Sequence, residues 1–172
     1  MRELSEQEIV RREKLKLVER PYPDKYETTH TIKEARELED GTKDVSIAGR
    51  IGFMRKMGKL SFVKIKNIEA NIQLQIRQDV LGEEKYEEFK KIFDSGDFIG
   101  AKGDIITTQT GEKSLSVNDI TFLGKALRPL PEKFHGLTDI ELKYRQRYVD
   151  LITNEETRDT FRKRSLIIQK IR

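Results

Sequence analysis

The sequence predicts a small five-stranded β-barrel with one helix between its third and fourth strands and further helices on both flanks, α+β overall. Three observations predict it. Hydrophobic periodicity switches near residue 44 from helical to alternating. Three alternating runs then follow in close succession, at residues 45–53, 60–66 and 71–77. One amphipathic helical stretch separates them from two more alternating runs joined by Thr110-Gly111.

The N-terminal flank comes first. Ser5 and Glu8 have the spacing of a capping box, and Ile9, Val10, Leu15 and Val18 follow, which predicts a helix over residues 6–19 stopped by Pro21 and Pro23. Thr31 and Glu34 repeat the signal ahead of a short helix ending near Gly41. In residues 45–53 the odd positions are apolar or glycine, the pattern of a long strand, and Gly49 and Gly52 predict that it bends. Gly58 makes a turn. The second strand, 60–66, sets Val63 and Ile65 on one face and Phe62 and Lys64 on the other. The third, 71–77, turns Ile72, Leu74 and Ile76 inward and Asn71, Gln73, Gln75 and Arg77 outward. A helix over 83–93 gathers Tyr86, Phe89, Ile92 and Phe93 on one side and stops at Gly96-Asp97. Strands at 98–108 and 113–123 close the pattern.

Strand, strand, strand, helix, strand, strand is the order of the OB-fold barrel, and an SH3-like barrel lacks that helix. Beyond it, Pro129 and Pro131 mark a linker. Thr138 and Glu141 predict a helix through Tyr144, Tyr148 and Leu151, and Asn154 caps a last helix containing Phe161, Leu166, Ile167 and Ile171. That helix reaches Arg172 with no stop signal, which implies a longer parent protein. The expected divisions are a helical extension at 1–43, the barrel at 44–126, a hinge at 127–154 and the start of a further domain at 155–172.

Composition narrows the function classes. The 172 residues contain no cysteine, so disulfides and thiolate metal sites are excluded. No apolar run approaches the ~20 residues that span a bilayer. Residues 1–10 do not resemble a signal peptide, so a cytoplasmic protein is expected. The net charge of +4 equals the excess of nine basic over five acidic residues within 141–172, and the rest of the chain is balanced. His30 and His135 are isolated, and no phosphate-binding glycine loop is present. Asp139, Glu141 and Asp150 read as helix surface or capping groups. No catalytic residue, metal ligand or cofactor site is expected in this chain.

OB barrels bind oligonucleotides across their second and third strands. Phe62 is the residue out of place there: alternation turns it away from Val63 and Ile65, where an aromatic ring offers a platform for a base. Such stacking contributes roughly 1–3 kcal/mol per base. Burial beneath the N-terminal helix is the alternative. Gln73 carries both donors and an acceptor and can match a base edge. Arg55 and Lys56 stand before the first turn as candidate phosphate or base contacts. Glu112, at the last hairpin, is a specificity element if it accepts from a base N–H and an uninvolved surface acid otherwise.

Residues 45–50 (VSIAGR), 58–63 (GKLSFV) and 72–74 (IQL) resemble the anticodon-binding barrel of the subclass IIb aminoacyl-tRNA synthetases. Residues 125–137 (KALRPLPEKFHGL) and 144–152 (YRQRYVDLI) resemble the lysyl-tRNA synthetases in particular. The resemblance implies that Phe62 stacks on the central anticodon base, a uridine for lysine, and that Gln73 reads it. It implies recognition roles for Glu112 and Arg55, with the anticodon stem-loop of a lysine tRNA as partner. ATP and Mg2+ would serve the parent enzyme's catalytic domain, and the helix at 155–172 would form a homodimer interface. The second and third class II motifs do not occur here, so the chain alone is expected to be inactive. Leu60 stands where the family often has alanine. A generic single-strand-binding or protein-binding OB module, and an aspartyl or asparaginyl relative, are the competing assignments.

Overall fold

A computed structural model describes residues 3–131, 137 and 139–172. Thr138 and His135, and with them the predicted Thr138 cap, lie outside the described residues. The chain forms two compact units, 1–129 and 130–172.

In the first unit the elements are α1 (Glu6–Lys16), α2 (Ile32–Glu37), β1 (Val45–Met57), β2 (Leu60–Lys66), β3 (Asn71–Arg77), α3 (Gln78–Leu81), α4 (Glu83–Ile92), β4 (Phe98–Thr107) and β5 (Lys113–Gly124). The strands close into a barrel in the order β1-β2-β3-β5-β4. All pairs are antiparallel except β3 with β5, the parallel seam that closes the ring. Alternation explains the register of β2 and β3: Val63, Ile65, Ile72, Leu74 and Ile76 are all buried. Two helices stop the barrel from opening onto water. Ile32 and Ala35 of α2 are buried in the core, and Tyr86, Phe89 and Ile92 of α4 join it. The Tyr86 hydroxyl reaches the buried Ser61 Oγ at 2.8 Å, so the one polar group on the inner face of β2 is satisfied.

Both N-terminal capping boxes form: Ser5 with Glu8, and Thr31 with Glu34. Helix α1 ends at Lys16, short of the expected residue 19, because Val18 turns aside to pack on the core. A one-turn helix, α3, was not expected; Gly82, at φ 93°, separates it from α4. The alternation of β1 breaks after Ile51. The register shifts between Ile51 and Phe53, the extra residue being Gly52, and Phe53 emerges 49% exposed instead of continuing the buried series. Thereafter Met54 packs on the core while Arg55 shares the outer face with Phe62.

A buried ionic cluster ties α1 to the base of the barrel. Lys125 and Asp97 both have fully buried side chains, with Nζ 2.8 Å from Oδ2. Lys125 also donates to Asp94 and to the Ile92 carbonyl. Lys14 meets Asp94 at 2.6 Å, and Arg11 donates to the carbonyls of Ser95 and Ala126. Asp97 accepts further from the Ala126 and Asp94 amides. Burial pushes the Asp94 carboxyl up, but the hydrogen bonds from Lys125 and Lys14 outweigh it and hold it below the usual carboxylate range.

The second unit contains α5 (Ile140–Arg145), α6 (Arg147–Thr153) and α7 (Glu155–Ile171). The single helix expected after the linker is broken at Gln146, whose φ and ψ of −118° and 50° are not helical. Asp139 caps α5 and Asn154 caps α7. Asp150 is not a surface group: it is 1% exposed and bonded to Arg147 at 2.7 Å. No helix among the described residues is long and apolar enough to cross a membrane.

Candidate nucleic-acid interface

Strand pairing places the outward side chains of β1, β2 and β3 in rows. Arg55, Phe62 and Gln75 form one row, and the next carries Phe53, Lys64 and Gln73. The parallel seam extends these rows onto β5, with Gln75 opposite Ser116 and Gln73 opposite Ser114. Phe62 is partly exposed on this face while its neighbours Ser61 and Val63 are buried beneath it. It is not covered by α1, whose polar contacts include residues 94–97, 126 and 128.

A groove of about 540 Å³ lies along the face. Leu60, Phe62, Gln73 and Gln75 form its floor and one wall, and residues 106–110 of the β4–β5 hairpin form the other. The hairpin wall is held by its own backbone. The Thr108 amide donates to the Glu112 carbonyl at 3.0 Å, the Glu112 amide donates to Thr108 Oγ1 at 3.1 Å, and Gly111 turns at φ 81°. An aromatic ring, two amides and hydroxyl groups in one open groove suit a flat ring with a hydrogen-bonding edge.

Of the five residues singled out from sequence, the structure brings Phe62 and Gln73 together in this groove. Glu112 stands beside it, its carboxylate 3.7 Å from Lys64 Nζ, with both side chains about half exposed. Arg55 does not line the groove. It is exposed on the β1 side of Phe62, directly across the strand pair. Lys56 is turned elsewhere: its ammonium donates to the carbonyls of Lys90 and Phe93 at the end of α4. Burial lowers its pKa, and Asp94 partly offsets this.

Sequence reasoning missed Ser114 and Lys64. Ser114 is buried and accepts from Gln73 Nε2 at 3.0 Å while donating to the Glu112 carbonyl at 3.1 Å. Only the β3–β5 pairing reveals this, because 41 residues separate Gln73 from Ser114. Lys64 was visible as an outward residue of β2, but its acidic partner lies on the hairpin. Among the described residues, no group of three or more His, Cys, Asp or Glu is gathered as a metal site.

Comparison with known proteins agrees with the architecture. Residues 45–123 match the family of OB-fold nucleic acid binding domains. The chain is 45% identical to a lysine–tRNA ligase of Lysinibacillus sphaericus (strain C3-41) over 183 residues, covering 99% of this chain and 36% of that protein. It is 44% identical to a lysine–tRNA ligase of Streptococcus pneumoniae (strain Hungary19A-6), covering 100% of this chain and 37% of the relative. A lysine–tRNA ligase of Streptococcus thermophilus (strain ATCC BAA-491 / LMD-9) is 46% identical with the same coverage. The chain thus spans little more than a third of the length of the curated relatives it matches.

Proposed function

We propose, from the premise that residues 45–123 are an OB-fold nucleic acid binding domain in a chain of the lysine–tRNA ligase kind, that this chain recognises the anticodon of a lysine tRNA. The central unpaired uridine stacks on Phe62, and the Gln73 amide meets its edge. Glu112 accepts from a neighbouring base, and Arg55 contacts the strand from the β1 side. The observation that carries this reading is the joint presence of the Phe62 ring and the Gln73 amide in one open groove on the outer face of the barrel.

Lysine activation with ATP and Mg2+, and transfer to tRNA, belong to the catalytic domain of a parent enzyme in the cytoplasm. In that reading residues 127–154 are the hinge, and α7 opens the catalytic domain and its homodimer interface. The exposed Leu166, Ile167 and Ile171 of α7 support the last point.

Titration of the chain with anticodon stem-loops carrying U or C at the central position tests the proposal. Tighter binding of the U form is expected, with no aminoacylation by the chain alone. Equal affinity for both, or equal affinity for single-stranded DNA of arbitrary sequence, would instead favour a generic single-strand-binding barrel.

A further inference from the structure

A side-chain amide reads a base only if its donor and acceptor are held in a known order, since rotation by 180° about the last bond exchanges them. Gln73 makes one hydrogen bond among the described residues, from Nε2 to Ser114 Oγ. A serine hydroxyl has a single proton. Ser114 Oγ stands 3.1 Å from the Glu112 carbonyl oxygen, in the geometry of a donor to it. A carbonyl has none to give, so the serine proton is committed to Glu112. Towards Gln73, Ser114 can only accept. The flipped amide would set its carbonyl oxygen against the lone pairs of a serine hydroxyl that is itself buried.

We infer that Ser114 is a positioning residue for base recognition: it holds the Gln73 amide in one orientation and so makes the groove select uracil over cytosine. This rests on the anticodon reading above. The ring position of a bound base is set by stacking on Phe62. With the ring fixed, uracil places the N3–H donor where cytosine places the bare N3 acceptor. The orientation imposed by Ser114 leaves Oε1 and the second amide hydrogen for the base. Uracil satisfies both, N3–H donating to Oε1 and a flanking carbonyl accepting from Nε2. Cytosine in the same place faces Oε1 with a lone pair and is accommodated only if the amide turns over, which breaks the bond to Ser114. The backbone beneath the device is fixed independently, because the Glu112 carbonyl also accepts from the Thr108 amide and hydroxyl.

The test measures binding of the 172-residue chain to stem-loops with central U or C. The proteins are wild type, Ser114→Ala, Gln73→Ala and the double variant, each with its urea midpoint as a control on folding. Ser114→Ala is expected to lower the U-to-C affinity ratio by about five- to tenfold, part of the discrimination that a bidentate base contact provides. Affinity for the U loop should fall less than the ratio does. In the Gln73→Ala background the same substitution should leave the ratio unchanged, because the serine acts only through the amide. An unaltered ratio in Ser114→Ala, or an equal loss in both backgrounds, overturns the proposal alone. A wild-type ratio of one overturns the anticodon reading and this proposal with it.

Discussion

Two polar clusters in the barrel unit are built from similar groups and differ in how completely they are satisfied. At the base, the buried Lys125 and Asp97 and the partly buried Asp94 are matched by Lys14, Arg11, two amides and the Ile92 carbonyl. On the outer face, Gln73 uses one of its donors, and Lys64 and Glu112 face each other at 3.7 Å, half in water. Burial makes any unpaired group in the first cluster expensive, and there each charge has a partner. Exposure makes incomplete pairing tolerable in the second, and the vacant donors and acceptors are what a ligand can use. Unsatisfied polarity on a rigid surface, more than charge itself, separates a binding site from a structural staple.

Breaking the staple should have the largest effect. Lys125→Ala leaves Asp97 buried without its main counter-charge and is expected to destabilise the chain by about 3–5 kcal/mol, read from urea denaturation. An effect below about 1 kcal/mol would place Lys125 with exposed pairs and erase the contrast. Phe62→Ala should invert the pattern. Binding of the U-centred stem-loop should weaken by roughly 1–3 kcal/mol, the stacking contribution of one base, while the urea midpoint barely moves. Unchanged binding would make Phe62 a structural residue.

Acid separates the clusters by a third route. The Asp94 carboxyl is held below its unfolded value of about 3.9, so its contribution is fully present at neutral pH and is lost as pH falls through that value towards the native pKa. Lys125→Ala removes a hydrogen bond that holds the carboxyl down, so the variant should lose less stability than wild type over the same acid range, measured by urea midpoints between pH 6 and 3. The smallest effect is expected from Lys64→Ala. Its exposed pair with Glu112 contributes under about 1 kcal/mol to folding, and the urea midpoint should stay near wild type.

The same contrast sets what the sequence reveals. Alternation exposes β2 and β3 directly, because both strands keep strict period two over a buried core, and Phe62 and Gln73 are legible as outward residues for that reason. Phe53 was misplaced because one extra residue at Gly52 inverts the faces, and nothing in composition marks which glycine is a bulge and which a close contact. Gly49 is of the second kind: a Cβ there would stand 3.0 Å from Ile32. Lys56 and Lys125 look like any surface lysines in a chain that is 37% charged. Their carbonyl and carboxylate partners lie 28–37 residues away, on elements that only the closed barrel brings near. Ser114 was hidden by the same distance. Local pattern reports which face a residue occupies, and topology reports whom it meets there.

The parallel seam between β3 and β5 has a consequence for handling the barrel by itself. By closing the ring it removes the bare strand edges on which foreign chains add as extra strands and from which aggregation begins. A barrel sealed in this way can be grafted between unrelated partners with its groove whole, because the residues that line it all belong to the ring and its own hairpin.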